Sequence, residues 1–594
     1  MLNYFHKIRD YGLINSSTIV ARRIRATYIF YRWARKVSAR TAQHTWQQIS
    51  NHDFTFYWAT KNNFNYPEYI LGNFVHPTIK SQELYNKSYW HDSFVAEHTK
   101  FYKNIVIPIG ESGILSPDIK VPWERSRFQQ IATFDAENFF VSITSWLEHN
   151  HFMQGVNWVC PMEVAIRAIN WIWGYHFFRT STSAPTFFWQ KFTCSLYDHM
   201  IYLDHNWERY DGRTNNHYLS DLVGYLYLCW FFKDLPDMQQ KTAWCYRELL
   251  QELDKQVFPE GTCYEGSTAY HKLVTELYAH ALFIMQELGF DVPTHYYARY
   301  RAMRQFVNLC TPAPGEFIII GDDDSGSVLH AELYPKSLVN SHDSESFYLP
   351  EFGLSVIKTK RLHITLRHHA YKKNQPSGHF HNDAASITLF LDGIAIFVDP
   401  GSYVYTPSRA WRNYFRSVQV HNTFFIAGHE PVPFDERLFA LNIPSLDTFY
   451  FAPTELRRTL PTSPRLRRAG GTNGLATTQH NLYKRFGLTA QRTVQYTDNE
   501  ITLSDVWLSD SECPDKTSCW NFTLAPSLRA EQNGAGINLV YNKKTIVTLY
   551  SDTLTFEIIP GWYAPEYGAK VPTQQLRAYG NVVCNKKFII KLTY

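Results

Sequence analysis

The spacing of apolar residues changes once along this chain, and that change limits the folds open to it. Between about residues 125 and 340 the apolar side chains recur with the period of a helix, for example from Pro161 onward. After about Phe352 they alternate with the period of a strand that has one buried face, as in 386–391 and 553–558. The pattern therefore predicts a helical domain followed by an all-antiparallel domain of stacked sheets.

Length and composition narrow the class of protein. The 594 residues exceed what one hydrophobic core normally serves, so two or more domains are expected. Aromatic residues make up 16% of the chain, and their flat faces can stack on sugar rings as well as pack in cores. The net charge of +4 is small, so nucleic acid is not favoured as a partner. Nine cysteines without framework spacing favour reduced, buried thiols.

The first forty residues interleave basic and bulky apolar side chains. They contain no uninterrupted apolar segment with a small-residue cleavage site, so a secretion signal is not supported and a cytoplasmic or peripheral location is expected. No stretch reaches the roughly 18 to 20 apolar residues that span a bilayer. A basic amphipathic helix here could contact an anionic membrane or a partner, although packing on its own domain is the commoner outcome.

A histidine pair opens the densest cluster of chemically active residues. His379 and His381 are two apart, so in a strand they point to the same face. Asp399 and His421 could complete a His381-Asp399-His421 set for zinc, which leaves His379 beside the metal for proton transfer. Histidine is common in this chain, with 25 in all, so a surface pair on a strand is the alternative.

Three polar loops stand out in the helical part. Asn216 and His217 lead into one predicted helix, and Ser267 precedes Tyr270 at the start of another. Helix capping can explain both of these loops, although the positive end of a helix near Tyr270 would favour a phenolate. The run 321–326 contains three aspartates but has a glycine where an EF-hand needs its first carboxylate, so a turn is predicted there.

Taken together, these segments resemble the heparinase II/III-like polysaccharide lyase superfamily, which includes heparin lyases and certain alginate lyases. The runs that carry the resemblance are 155–167, 215–219, 264–271, 378–383, 398–403 and 416–423. The resemblance implies an incomplete (α/α) toroid followed by an antiparallel β-sandwich, with the active cleft between them. We expect a helical extension over 1–120, the toroid over 121–345 and the sandwich over 346–594.

The resemblance also implies β-elimination at a uronic acid. A base removes the C5 proton, the glycosidic oxygen leaves C4, and hydrogen-bond donors neutralise the adjacent carboxylate. By resemblance Asn216, with His217, is the neutraliser, and Tyr270 and His379 are the proton-transfer groups. The expected partner is an acidic polysaccharide, and a link to bacterial surface polysaccharide or exopolysaccharide metabolism is expected.

Further residues take roles by resemblance. His381, Asp399 and His421 align with the zinc ligands of the family, so zinc is expected in a mainly structural role. Residues expected to contact substrate are Trp158, Glu265, Arg412 and Tyr414. One departure is Val418, which stands where the family commonly has a hydroxyl.

Two other functions compete with the lyase. In a zinc-dependent hydrolase the same three ligands would leave an open metal position for an activated water. In a non-catalytic polysaccharide-binding or assembly protein the cleft and metal would be kept without turnover. An elimination product carries a C4–C5 double bond that absorbs ultraviolet light, and a hydrolysis product does not.

Overall fold

The computed structural model describes most of the chain after residue 86. The described ranges are 87–209, 214–329, 345–368, 378–435, 437–439, 441, 474–534 and 536–594. The basic N-terminal segment, with its expected membrane or partner contact, lies outside them. Among the described helices, none combines the length and the apolar character needed to cross a membrane.

The first half of the described chain is helical, as the apolar period predicts. Its helices are α1 (Lys87–His91), α2 (Lys120–Arg127), α3 (Ala136–His149), α4 (Pro161–Phe178), α5 (Phe188–His205), α6 (Asn216–Phe231), α7 (Met238–Gln256), α8 (Thr268–Glu287) and α9 (Thr294–Leu309). Pro161 begins α4, where its missing N–H costs nothing. Helix α6 packs against α4, α7 and α8 and is buried along almost its whole length, so it forms the centre of the helical core.

Two capped N-termini position residues of the candidate site. Asn215 caps α6 by accepting a hydrogen bond from the backbone N–H of His217, which makes Asn216 the first residue of the helix. Ser267 caps α8 in the same way through the N–H of Tyr270. The caps predicted from the sequence are therefore present, and they fix where these helices begin.

The second half of the described chain forms antiparallel sheets, interrupted by helix α10 (Arg409–Arg416). The strands are β1 (Glu345–Leu349), β2 (Leu354–Lys358), β3 (Leu362–Arg367), β4 (Ile387–Leu391), β5 (Ile394–Phe397), β6 (Phe424–Ile426), β7 (Gly474–His480), β8 (Thr489–Tyr496), β9 (Glu500–Leu508), β10 (Thr517–Thr523), β11 (Arg529–Asn533), β12 (Gly536–Tyr541), β13 (Lys544–Tyr550), β14 (Glu557–Glu566), β15 (Ala569–Asn581) and β16 (Lys587–Thr593). They make three sheets, ordered β1-β2-β3-β4-β5, β14-β15-β10-β6 and β11-β12-β13-β16-β9-β8-β7. Strand β14 begins at Glu557, so most of the alternating run 553–558 precedes it rather than lying in it.

One apolar core runs through all three sheets, with Leu389, Trp520 and Leu503 among its members. A second apolar cluster joins the halves of the molecule, because it contains both Phe306 of α9 and Phe347 of β1. The sequence expectation of reduced thiols needs one correction, since Cys513 and Cys584 form a disulfide. These cysteines are 71 residues apart, and the pairing of β10 with β15, in which Thr517 lies opposite Asn581, folds the chain between them back on itself.

Candidate active site

Tyr270 and His379 come from different halves of the molecule and stack face to face. Tyr270 lies in the first turn of α8, whereas His379 lies in the loop that precedes β4. Their ring centroids are 3.7 Å apart and their planes are inclined by 19°. The close approach depends on Gly266, because a Cβ at this position would lie 2.2 Å from the ring of Phe380. The two proton-transfer candidates therefore share one location.

The electrostatic surroundings of Tyr270 differ from the sequence expectation of a stabilised phenolate. Burial, together with the negative charges of Asp324 and Asp322, raises the pKa of Tyr270 well above its ordinary value. The hydroxyl lies 3.4 Å from that of Tyr405. The helix-end potential is outweighed by desolvation and neighbouring carboxylates, so Tyr270 is a neutral phenol at neutral pH.

A carboxylate connects Asn216 to the same location. The backbone N–H of Asn216 and its carboxamide Nδ2 each donate to one oxygen of Glu265, both at 2.8 Å. The carboxamide oxygen of Asn216 is buried without a hydrogen-bond partner among the described residues. The Oε2 atom of Glu265 lies 3.5 Å from Nε2 of His379. The predicted groups Asn216, Glu265, Tyr270 and His379 thus lie in one cluster.

His217 is held by a partner that sequence reasoning did not identify. Its Nδ1 lies 3.0 Å from Oε2 of Glu208. Burial lowers the pKa of His217, but the charge and hydrogen bond of Glu208 outweigh it and raise the pKa to about 8. The His217 side chain is 36% exposed. A cationic imidazole is therefore available beside Asn216 below about that pH.

The donor atoms of Cys160, Glu208 and His217 lie within 4.8 Å of one another, close enough to share an ion. Hydrogen bonds already account for this cluster. Oε2 of Glu208 accepts a hydrogen bond from the backbone N–H of Met162 at 3.2 Å. The same oxygen lies 3.8 Å from the thiol of Cys160 and 3.0 Å from the imidazole of His217. We therefore describe it as a hydrogen-bonded triad.

His381, Asp399 and His421 form a second group whose donor atoms also lie within 4.8 Å of one another. The three side chains are buried. Each histidine uses one ring nitrogen elsewhere: Nδ1 of His421 donates to the Ser417 carbonyl at 2.8 Å, and Nε2 of His381 donates to Asp322 at 2.9 Å. Such outer hydrogen bonds are typical of histidines whose other nitrogen binds a metal. Two imidazoles and a carboxylate fit zinc.

Asp322 is the residue around which these groups are arranged. Its carboxylate accepts two hydrogen bonds from the guanidinium of Arg412, at 2.7 and 2.8 Å. It also accepts one from His379 at 3.1 Å and one from His381 at 2.9 Å. Asp322 belongs to the run 321–326, for which the sequence predicts only a turn. The three aspartates were a signal for a functional carboxylate, but they did not indicate its partners.

The four predicted substrate contacts lie in different places. Glu265 is in the cluster just described, and Arg412 is buried behind it in the ion pair with Asp322. Trp158 is buried in the helical core, where its ring packs against Tyr202. Tyr414 lines a separate cavity of about 370 Å³ on the sheet side. Contact with substrate stays a prediction for all four, and the ion pair of Arg412 favours a supporting role for that residue.

Comparison with known proteins identifies the family. Residues 131–318 match the model of the heparinase II/III N-terminus, and residues 341–591 match the heparinase II/III-like C-terminal model. The chain therefore belongs to the heparinase II/III-like family, and this membership confirms the expected class, a polysaccharide lyase. No curated protein has a sequence similar enough to count as a relative.

Solved structures confirm the predicted fold, a helical toroid followed by antiparallel sheets. A crystal structure of heparinase III has a TM-score of 0.64 at 14% identity and covers 95% of this chain and 90% of its own. A heparan sulfate lyase mutant from Pedobacter heparinus has a TM-score of 0.58 at 15% identity, with 93% and 88% covered. A chondroitinase AC lyase has a TM-score of 0.50 at 9% identity, with 93% and 83% covered. At such identities the likeness is one of fold.

Proposed function

We propose that this protein cleaves a uronic-acid-containing polysaccharide by β-elimination. The observation that carries the proposal is the meeting of a phenol and a carboxamide from the helical half with an imidazole from the sheet half. Tyr270 stacks on His379 at 3.7 Å, and Glu265 links Asn216 to the same place. β-Elimination needs one group to take a proton, one to give a proton and one to stabilise a carboxylate, and these three side chains supply all of them.

The positions of the hydrogen atoms on Tyr270 and His379 indicate which of the two gives a proton and which takes one. A base takes the C5 proton, the electrons of the C5–H bond form the C4–C5 double bond, and the C4–O bond breaks toward the leaving glycosidic oxygen. Tyr270 carries its proton at neutral pH because burial raises its pKa, so it gives that proton to the leaving oxygen. His379 takes the C5 proton through Nε2, since its Nδ1 donates to Asp322.

The substrate carboxylate must be stabilised as charge builds on it. Asn216 and the cationic form of His217 lie at the start of α6, where the positive end of the helix adds to their effect. Preorganised donors of this kind act most strongly where water is excluded. This arrangement supports an acidic sugar as the substrate.

We further propose that His381, Asp399 and His421 hold one zinc ion. The metal would supply rigidity to the loop that carries His379, two residues from His381. The burial of all three ligands favours this structural role over that of an open metal position with an activated water, which a hydrolase would need. Metal analysis of the purified protein by mass spectrometry should find one zinc per chain.

The products test the elimination directly. The protein should be incubated with a panel of uronate polysaccharides, including acidic bacterial surface polymers and exopolysaccharides, while absorbance near the ultraviolet band of the C4–C5 double bond is followed. Cleavage with rising absorbance is expected. Cleavage without it would indicate hydrolysis, and binding without cleavage would indicate a non-catalytic glycan-binding protein.

The pH dependence should report on His217. Its pKa is raised to about 8, so the cation is present below that pH and is lost as the pH rises through it. KM for an acidic substrate should therefore rise above about pH 8. In Glu208→Gln the main cause of the raised pKa is gone, so the rise in KM should begin at lower pH. Identical KM profiles for the two proteins would contradict this role of His217.

A further inference from the structure

Asp322 is held between the two halves of the molecule by its own backbone. It lies after α9 and before β1, in a segment packed along the start of α8. Its N–H donates to the carbonyl of His379 at 3.0 Å, and its carbonyl accepts from the hydroxyl of Ser267 at 2.5 Å. Gly321 permits this approach, because a Cβ there would lie 2.6 Å from the carbonyl oxygen of His379. These backbone contacts fix the position of Asp322 independently of the hydrogen bonds that its carboxylate makes.

The side chain of Asp322 is fully buried and accepts from several donors at once. Oδ1 accepts from Arg412 at 2.7 Å and from His381 at 2.9 Å, and Oδ2 accepts from Arg412 at 2.8 Å and from His379 at 3.1 Å. The hydroxyl of Ser402 lies 3.4 Å from Oδ1. A carboxylate offers about four acceptor positions, so those of Asp322 are essentially filled.

These contacts determine which nitrogen of each histidine can act elsewhere. A carboxylate only accepts hydrogen bonds, so the nitrogen that is hydrogen-bonded to Asp322 carries hydrogen: Nδ1 in His379, at 3.1 Å, and Nε2 in His381, at 2.9 Å. The opposite nitrogen of His379 then faces Glu265 and the site, and that of His381 is the one that can bind an ion with Asp399 and His421. One carboxylate sets both orientations.

From this geometry we propose that Asp322 is a positioning residue that holds the proton-transfer histidine and a zinc ligand on one carboxylate, and so links the metal centre to the reacting group. The proposal rests on the proposed function and deepens it. A bidentate pair with Arg412 alone would neutralise the buried charge. That pair does not require either histidine, and the convergence of both on the same carboxylate is what the positioning role explains.

The test compares Asp322→Asn with the wild-type protein. The amide keeps the shape but replaces one acceptor oxygen with a donor, so it cannot orient both histidines. We expect kcat to fall on the order of 10- to 100-fold with little change in KM, and zinc affinity, measured by competition with a chromophoric chelator, to fall by a similar factor. His421→Ala should lose the zinc and serves as the reference for an empty site.

The matched control is Asp323→Asn, a neighbouring buried carboxylate that accepts from the backbone N–H of Ser325 and that an amide oxygen can replace. It should leave kcat and zinc affinity unchanged. Wild-type kcat and zinc affinity in a folded Asp322→Asn protein would overturn the proposal, as would equal losses in Asp323→Asn.

Asp322→Asn leaves the charge of Arg412 buried and could unfold the protein for that reason alone. The double variant Asp322→Asn/Arg412→Gln removes both charges. We expect its thermal stability to recover while kcat and zinc affinity stay low. Recovery of all three would show that Asp322 only neutralises Arg412 and would overturn the proposal. Zinc affinity is measured without substrate. A wild-type protein that yields no unsaturated product would therefore refute the lyase function, whereas the zinc measurements would still test the link between Asp322 and His381.

Discussion

Tyr270→Phe is expected to abolish turnover while leaving affinity for the polysaccharide nearly unchanged. The substitution removes only a hydroxyl, which lies 3.4 Å from the hydroxyl of Tyr405, so the stack on His379 and the fold should persist. Loss of a positioned proton donor typically slows a reaction on the order of 10²–10⁴-fold. Product absorbance gives kcat, and calorimetry with the variant gives the affinity.

Tyr278→Phe is the matched control for this substitution. Tyr278 is a buried tyrosine on the same helix, and its hydroxyl has no hydrogen-bond partner among the described residues. It should retain wild-type kcat. If Tyr270→Phe also forms product at the wild-type rate, Tyr270 takes no part in the chemistry.

A substrate whose leaving group needs no proton can distinguish whether Tyr270 acts as the proton donor or as the base. A uronoside with fluoride at C4 eliminates fluoride, which departs as the anion. Tyr270→Phe should therefore process this substrate at close to the wild-type rate. A loss as large as that seen with the polysaccharide would instead assign Tyr270 as the base.

The sequence predicts the architecture well because apolar periodicity records which faces are buried. Helices α4, α6 and α8 lie where the period of 3.6 places them, and the alternating run 386–391 leads into β4. The run 553–558 shows the limit of this reasoning. It alternates, but the backbone pairs with β15 only from Glu557 onward, because pairing depends on a partner strand that the run itself does not encode.

The candidate site was predictable where its chemistry is local. The His-x-His pair and the two capped helices are each visible within a few residues. Asp322 was not, because its partners lie far along the chain: His379 is 57 residues away and Arg412 is 90 away. Nothing near 321–326 indicates that the turn folds against those residues. The protonation of Tyr270 was missed for the same reason, since it depends on burial and on carboxylates brought in by the fold.

Asn216→Asp is expected to lower kcat on the order of 10²–10³-fold, the usual effect of removing a donor that stabilises developing negative charge. The variant has almost the same shape, but it replaces the amide that donates to Glu265 with a second acceptor. Two adjacent carboxylates would then face the substrate carboxylate, so KM should rise as well. The positive end of α6 offsets part of the cost to stability. Product absorbance gives kcat and KM, and thermal melting checks the fold.

Asn215→Asp provides the control, because it adds the same charge one residue earlier. Asn215 accepts from the N–H of His217 at 3.1 Å, and an aspartate can cap the helix equally well. If the carboxamide of Asn216 is what stabilises the substrate, Asn215→Asp should retain most of the activity while Asn216→Asp loses it. Equal losses would mean that the site responds to negative potential in general and that Asn216 makes no specific contribution.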